Sequence, residues 1–105
     1  MIYNKLVRDK IPDIIHDQGK GVCFRILDDD TEYIKALEDK LIEEAAEFIY
    51  SKNIEELADF LEVIYALCEV LGYTIEDLVN CYGKKHTERG GFEQRIFLEE
   101  VSESD

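Results

Sequence analysis

The chain has 105 residues and a mass of 12.2 kDa, is 46% hydrophobic and 35% charged, and carries a formal net charge of −13. That is one domain's worth of chain, too apolar to stay disordered and without the ~20-residue apolar run that spans a bilayer. The acidic balance argues against nucleic acid as a partner, because phosphate backbones select basic surfaces.

The charge is unevenly spread. Residues 1–27 carry five Lys/Arg and three acids, residues 28–77 three Lys and sixteen acids, and residues 78–98 four Lys/Arg and two acids. An acidic centre thus lies between two mildly basic segments. The start, MIYNKLVRDKIP, has no apolar h-region, so no secretory signal is expected. Cys23, Cys68 and Cys81 make an odd count without a CxxC spacing, which points to thiols in a reducing cytosol and to core positions rather than to a disulfide scaffold or zinc.

In chain order, Pro12 suits a first helical turn and Gly19 a stop, so Asp13 to Gln18 reads as a short helix. Val22 to Leu27 is rich in strand formers and reads as a short strand. Asp28-Asp29-Asp30-Thr31 supplies turn and N-cap residues for a helix over 32–51. Its apolar stripe is Ile34, Leu37, Leu41, Ala45 and Phe48. On a wheel of ~100° per residue, Glu44, Glu47 and Glu43 follow one another round the same side from Leu41.

Ser51-Lys52-Asn53 interrupts the periodicity, and 54–71 reads as a second long helix stopped by Gly72. Ile54, Leu57, Leu61, Ile64, Cys68 and Leu71 form its expected inner stripe, with Phe60, Val63 and Leu67 a second apolar flank. That spare flank predicts a homodimer or homotetramer. Glu56 and Asp59 lie ~60° apart with Val63 between them, and carboxylates wedged among apolar residues need a partner or a metal. Thr74 to Asp77 resembles a capping box opening a third helix to about Lys85. Gly90-Gly91 is a turn, Phe92 to Val101 an extended tail able to pair with 22–27, and Ser102 to Asp105 a frayed end.

The chemistry concentrates in Glu43-Glu44-x-x-Glu47 and Glu56-x-x-Asp59. Acids at i and i+3 share a helix face, and a short connection makes the two helices antiparallel neighbours, so the acidic pairs face each other. Carboxylates at such range repel unless a cation lies among them, and an all-oxygen set suits Mg²⁺, or Mn²⁺, rather than zinc. Read singly, Glu56 is also explained as a capping-box partner of Asn53, and the three α-helical glutamates as ordinary solvated surface. His16 and His86 have no nucleophile beside them and read as structural, and Walker, GxGxxG and Ser-His-Asp patterns are missing from the sequence.

EExxE followed by ExxD resembles the all-α nucleoside triphosphate pyrophosphohydrolases, the superfamily of MazG, dimeric dUTPases and phosphoribosyl-ATP pyrophosphohydrolase. The opening YNKLVRDKIP and the closing RGGFEQRIFL (Arg89 to Leu98) resemble a small MazG-like branch of house-cleaning enzymes. The eight residues between Glu47 and Glu56 are fewer than many members have. The resemblance implies a single 1–105 domain, an antiparallel all-α bundle completed by oligomerisation, and Mg²⁺-dependent cleavage of a nucleoside triphosphate between its α and β phosphates. It places the metal ligands on Glu44, Glu47, Glu56 and Asp59, with Glu43 orienting a ligand or water, so that Glu43, Glu44 and Glu47 form the catalytic group. Lys5, Arg8, Lys10, Lys84, Arg89 and Arg95 are the expected phosphate contacts, since an acidic site needs cations to hold an anion. Tyr3 and Phe92 are candidates to stack on a base or to pack in the core. Two alternatives remain beside this reading: phosphoribosyl-ATP hydrolysis in histidine synthesis, and a non-catalytic acidic helical module that binds a protein.

Overall fold

Asp29 and Asn53 open the two long helices in the same way. Asp29 accepts a hydrogen bond from the Glu32 N–H at 3.2 Å, and Asn53 accepts one from the Glu56 N–H at 3.0 Å. Each side chain satisfies an amide that the first turn leaves without a carbonyl. The computed structural model describes residues 2–103; Ser104 and Asp105, the last half of the expected frayed end, lie outside the described residues.

All regular structure among the described residues is helical: α1 (Ile11–Asp17), α2 (Asp30–Ser51), α3 (Ile54–Val70) and α4 (Ile75–Arg89). No helix is long and apolar enough to cross a membrane. The chain divides into two compact units, Met1–Tyr73 and Thr74–Asp105.

In the first unit, α1 starts two residues earlier than expected, with Pro12 in its first turn, and Gly19 ends it at φ +79. The link between α2 and α3 is two residues long. Lys52 turns left-handed at φ 56 and donates its N–H to the Phe48 carbonyl at 2.7 Å, which closes α2 and sends α3 back along it. The two helices pack as an antiparallel hairpin. Leu37 from α2 and Val63 and Cys68 from α3 are the buried apolar residues of its seam, with Ile34, Leu41, Ala45 and Phe48 half-buried around them.

Two expectations need correction here. The first concerns which side of α3 faces α2. Val63 is buried and Phe60 and Leu67 half-buried, whereas of the expected inner stripe Cys68 is buried and Ile64 half-buried but Ile54, Leu57, Leu61 and Leu71 are exposed. This helix is apolar on more than one side, and a single neighbour covers only one. Because Val63 lies between Glu56 and Asp59 on the wheel, burying it carries both acids into the seam. The uncovered apolar surface is therefore the Ile54, Leu57 and Leu61 side, with Phe60 at its edge, and not the side that carries Val63 and Leu67.

The second correction is the ribbon. Neither 22–27 nor the tail forms a strand, and Phe24, Ile26, Ile96, Phe97 and Leu98 are exposed. Strand propensity needs a paired neighbour to satisfy its backbone, and among the described residues no ladder bond reaches either segment. Arg25 instead forms an ion pair with Glu32 at the start of α2. Cys23 and Cys81 are likewise exposed rather than core residues, while Cys68 is buried.

In the second unit, Thr74 and Asp77 form the reciprocal capping box: the Asp77 N–H donates to Thr74 Oγ1 at 3.0 Å, and the Thr74 N–H donates to Asp77 at 2.9 Å. The helix runs four residues past Lys85, because one glycine (Gly83) costs only ~1 kcal/mol against the residues around it. Gly90, at φ +80, ends it.

Candidate metal centre

The acids that matter come from one face of α2 and the facing side of α3. The hairpin brings one carboxylate oxygen from each of Glu44, Glu56 and Asp59 within 4.8 Å of the others. Glu44 is only 6% exposed. Its Oε2 and the Oε2 of Glu56 are both shielded from water and have no hydrogen-bond partner. Asn53 caps the Glu56 amide, but the return bond that Asp77 makes at the head of α4 has no counterpart here. The Glu56 carboxylate is therefore more than a cap.

The electrostatics follow from this crowding. Burial, then the charge of Glu47, raises the Glu44 carboxyl above the ordinary range against the pull of Lys40. Desolvation, then Glu47, with Asp59 and Glu44 behind it, raises Glu56. Glu47 is exposed and stands outside the tight triad, yet its charge reaches both neighbours. Glu43 goes the other way. Partial burial would raise it, but the Lys5 hydrogen bond and the charges of Lys40 and Lys5 carry it below the ordinary range.

Three cations border the acids. Lys5 Nζ is 3.1 Å from Glu43 Oε1, and Arg8 Nη2 is 2.7 Å from Asp59 Oδ1. Lys40, absent from the sequence-based candidates, stands 3.5 Å from Glu43 Oε2 and 3.5 Å from Glu44 Oε1, with its side chain largely buried. Its i to i+3 and i+4 spacing from the two glutamates was visible in the sequence. Lys10 is exposed at the N-cap of α1. Lys84, Arg89 and Arg95 belong to the Thr74–Asp105 unit, where Arg89 closes α4 and Arg95 adopts φ 57.

Tyr3 is exposed with Lys5 5.9 Å from its ring centre, and Phe92 is 96% exposed, so neither is a core residue. His16 is exposed beside Asp17, and His86 packs on Tyr82 with ring centres 5.8 Å apart.

A cleft of about 180 Å³ opens beside the triad. Its walls include Arg8, Tyr33, Lys40, Glu44, Asp59 and Glu62, over a floor that includes Leu37 and Val63. Burial, then Asp9, Glu69 and Glu62, raises the Tyr33 phenol above its ordinary value. Tyr33 and Glu62 escaped the sequence analysis because an isolated tyrosine or glutamate on a helix carries no pattern of its own.

Comparison with protein-family models, curated proteins and solved structures returns no match to this chain.

Proposed function

We propose that the chain is a divalent-metal-dependent nucleoside triphosphate pyrophosphohydrolase, releasing nucleoside monophosphate and pyrophosphate from non-standard cytosolic nucleotides. The observation that carries this reading is the pair of buried, unpartnered carboxylate oxygens, Glu44 Oε2 and Glu56 Oε2, within a triad of convergent acids. A carboxylate withdrawn from water without a partner is costly, and a bound cation would remove that cost. The donors are all oxygens, which fits a hard ion, Mg²⁺ or Mn²⁺.

Glu44, Glu56 and Asp59 would hold the ion, with Glu47 at the edge of the set. When bound, the ion supplies positive charge against phosphate oxygens and a more acidic water. The protein's own groups do the rest. Arg8 and Lys5 offer donors for phosphate oxygens, Arg8 through a planar fork suited to them. Lys40 and Lys5 hold Glu43 as a carboxylate beside the site. Glu47, exposed and the main charge pressing on its neighbours, would take the proton of an attacking water. The cleft beside the triad, part apolar and part polar, would seat the nucleoside.

The resemblance of EExxE, ExxD and the two terminal motifs supports the same chemistry. The exposed Ile49, Ile54, Leu57 and Leu61 support assembly into a dimer or tetramer, since a hairpin of two helices leaves that side uncovered.

The decisive experiment measures pyrophosphate release from a panel of ordinary and modified triphosphates with Mg²⁺ or Mn²⁺. Activity lost in Glu47→Gln and Asp59→Asn is the expected result. Full activity in either variant refutes the site. Absence of both turnover and metal binding would leave an acidic helical module that binds a protein.

A further inference from the structure

The segment before α1 has no regular structure, yet it is tied to the hairpin by two long-range contacts. Lys5 reaches Glu43, 38 residues on, and Arg8 reaches Asp59, 51 residues on. These contacts differ in kind. Glu43 lies outside the carboxylate triad and is shared with Lys40, whereas Asp59 belongs to the triad. Arg8 also makes its contact through one nitrogen to one oxygen rather than as a two-bonded fork, and its side chain is half-exposed. A single-bonded, partly solvated pair is the weaker arrangement. Leu6, Val7, Arg8 and Asp9 line the same cleft as Glu44 and Asp59, so the position of this segment sets the shape of the cleft mouth.

We propose that Arg8 is an internal counter-ion that yields Asp59 to a divalent cation, so that metal loading frees the guanidinium and the Leu6–Asp9 lip of the cleft for a substrate phosphate. This inference rests on the metal centre proposed above and adds the coupling of that centre to the N-terminal segment. A guanidinium and a divalent ion on the same carboxylate repel each other, and the ion carries the larger charge. Lys5 keeps its own partner throughout, because Glu43 is not needed by the ion. The segment therefore pivots about Lys5 instead of detaching. Arg8 then reaches a phosphate only when the ion that would help bind that phosphate is already in place, which orders the two binding events.

The test uses the full chain and two measurements. Calorimetric titration with Mg²⁺ compares the wild type with Arg8→Met and with Lys20→Met, an exposed lysine outside the site that controls for net charge. Arg8→Met is expected to bind Mg²⁺ about tenfold more tightly, and Lys20→Met less than about twofold more tightly, as separation and solvent screen the second change. Titration with inorganic phosphate then reads the guanidinium directly. With saturating Mg²⁺, Arg8→Met is expected to bind phosphate about tenfold more weakly than the wild type; without Mg²⁺, where Asp59 holds Arg8, the two should differ less than about twofold. Equal or weaker Mg²⁺ binding by Arg8→Met, or phosphate binding that Arg8→Met leaves unchanged or weakens equally with and without Mg²⁺, overturns the coupling while leaving the metal centre standing. Failure of every protein to bind Mg²⁺ overturns both.

Discussion

Lys40 sits one helical turn before Glu44 and holds its Nζ 3.5 Å from Oε1, while Oε2 of the same carboxylate is buried without a partner. One oxygen of the anion is compensated from within α2, and the carboxylate also meets the acids of α3. One helix thus supplies both the charge that makes Glu44 tolerable and the geometry that leaves it unfinished. The uncompensated half has a measurable consequence in the absence of metal.

That consequence is an inverted pH dependence. Glu44 and Glu56 are both raised above the ordinary carboxylate value in the folded state, by burial first and by Glu47 second. Their stabilising contribution is complete below the unfolded pKa, about 4.3, and is lost as the pH rises through the raised folded values. Glu43 is lowered, so its contribution is complete above that pH and is lost only as the pH falls through its depressed value. As the pH rises from the unfolded value through the raised folded ones, the first pair therefore governs the slope. Urea unfolding with a chelator present should show stability falling as the pH rises across this window, and Glu44→Gln should flatten the fall. Stability that climbs steadily over the same range would show that the triad carries no strain.

Divalent metal should reverse that loss. An ion that binds only the folded state stabilises it by ~2.7 kcal/mol when present at about one hundred times its dissociation constant. Mg²⁺ should raise the thermal midpoint of the wild type at neutral pH. Glu56→Gln, which removes a proposed ligand but keeps the residue's shape and the Asn53 cap on its amide, should weaken Mg²⁺ binding at least about tenfold, a shift of ~1.4 kcal/mol. A midpoint in Glu56→Gln that responds to Mg²⁺ as the wild type does would remove Glu56 from the site.

Much of this was legible in the residues because helical periodicity and capping act locally. Thr74 and Asp77, the stop at Gly72 and the stripe through Leu37 all follow from neighbours three or four positions apart. That Glu44 on α2 and Glu56 and Asp59 on α3 lie on neighbouring antiparallel helices was legible too, since a two-residue link leaves α3 little choice but to fold back. What escaped depends on partners distant in sequence. The rotation of α3 that buries Val63 in preference to Leu57 is decided by which of two similar apolar sides meets α2, and composition alone ranks them equally. Val22 to Leu27 has strand formers but no strand to pair with, and no local pattern reveals that lack. Arg8 on Asp59 spans 51 residues and follows no period.

The small seam between the long helices makes its few buried residues expensive to change. Leu37 is 2% exposed and, with Val63, forms part of the cleft floor. Leu37→Ala should destabilise by ~2–5 kcal/mol, because transfer and cavity costs add. Asn53→Ala should cost only ~1 kcal/mol, through the lost cap on the Glu56 amide. Chemical denaturation gives both values. A Leu37→Ala loss no larger than that of Asn53→Ala would mean that the seam contributes little to holding the hairpin.

The uncovered side of the hairpin sets the last test. Ala45, Phe48, Ile49, Leu57 and Phe60 line an apolar groove of about 200 Å³, and Ile54 and Leu61 extend the exposed surface along α3. A second copy offers the same residues in return, as a two-fold interface requires. Sedimentation equilibrium at tens of micromolar should therefore find a dimer or tetramer, and Leu57→Asp should shift it to monomer by burying a charge where an apolar contact stood. The triad lies within one chain, whose α2 and α3 hold it without help from a partner. Monomeric Leu57→Asp should consequently keep Mg²⁺ affinity within about threefold of the wild type, less than the ~1.4 kcal/mol of a tenfold change. Were the wild type to sediment as a monomer, self-association through this surface would be excluded. Were the monomeric variant to lose Mg²⁺ binding, the site would depend on a partner copy, and the hairpin alone would not suffice to hold the ion.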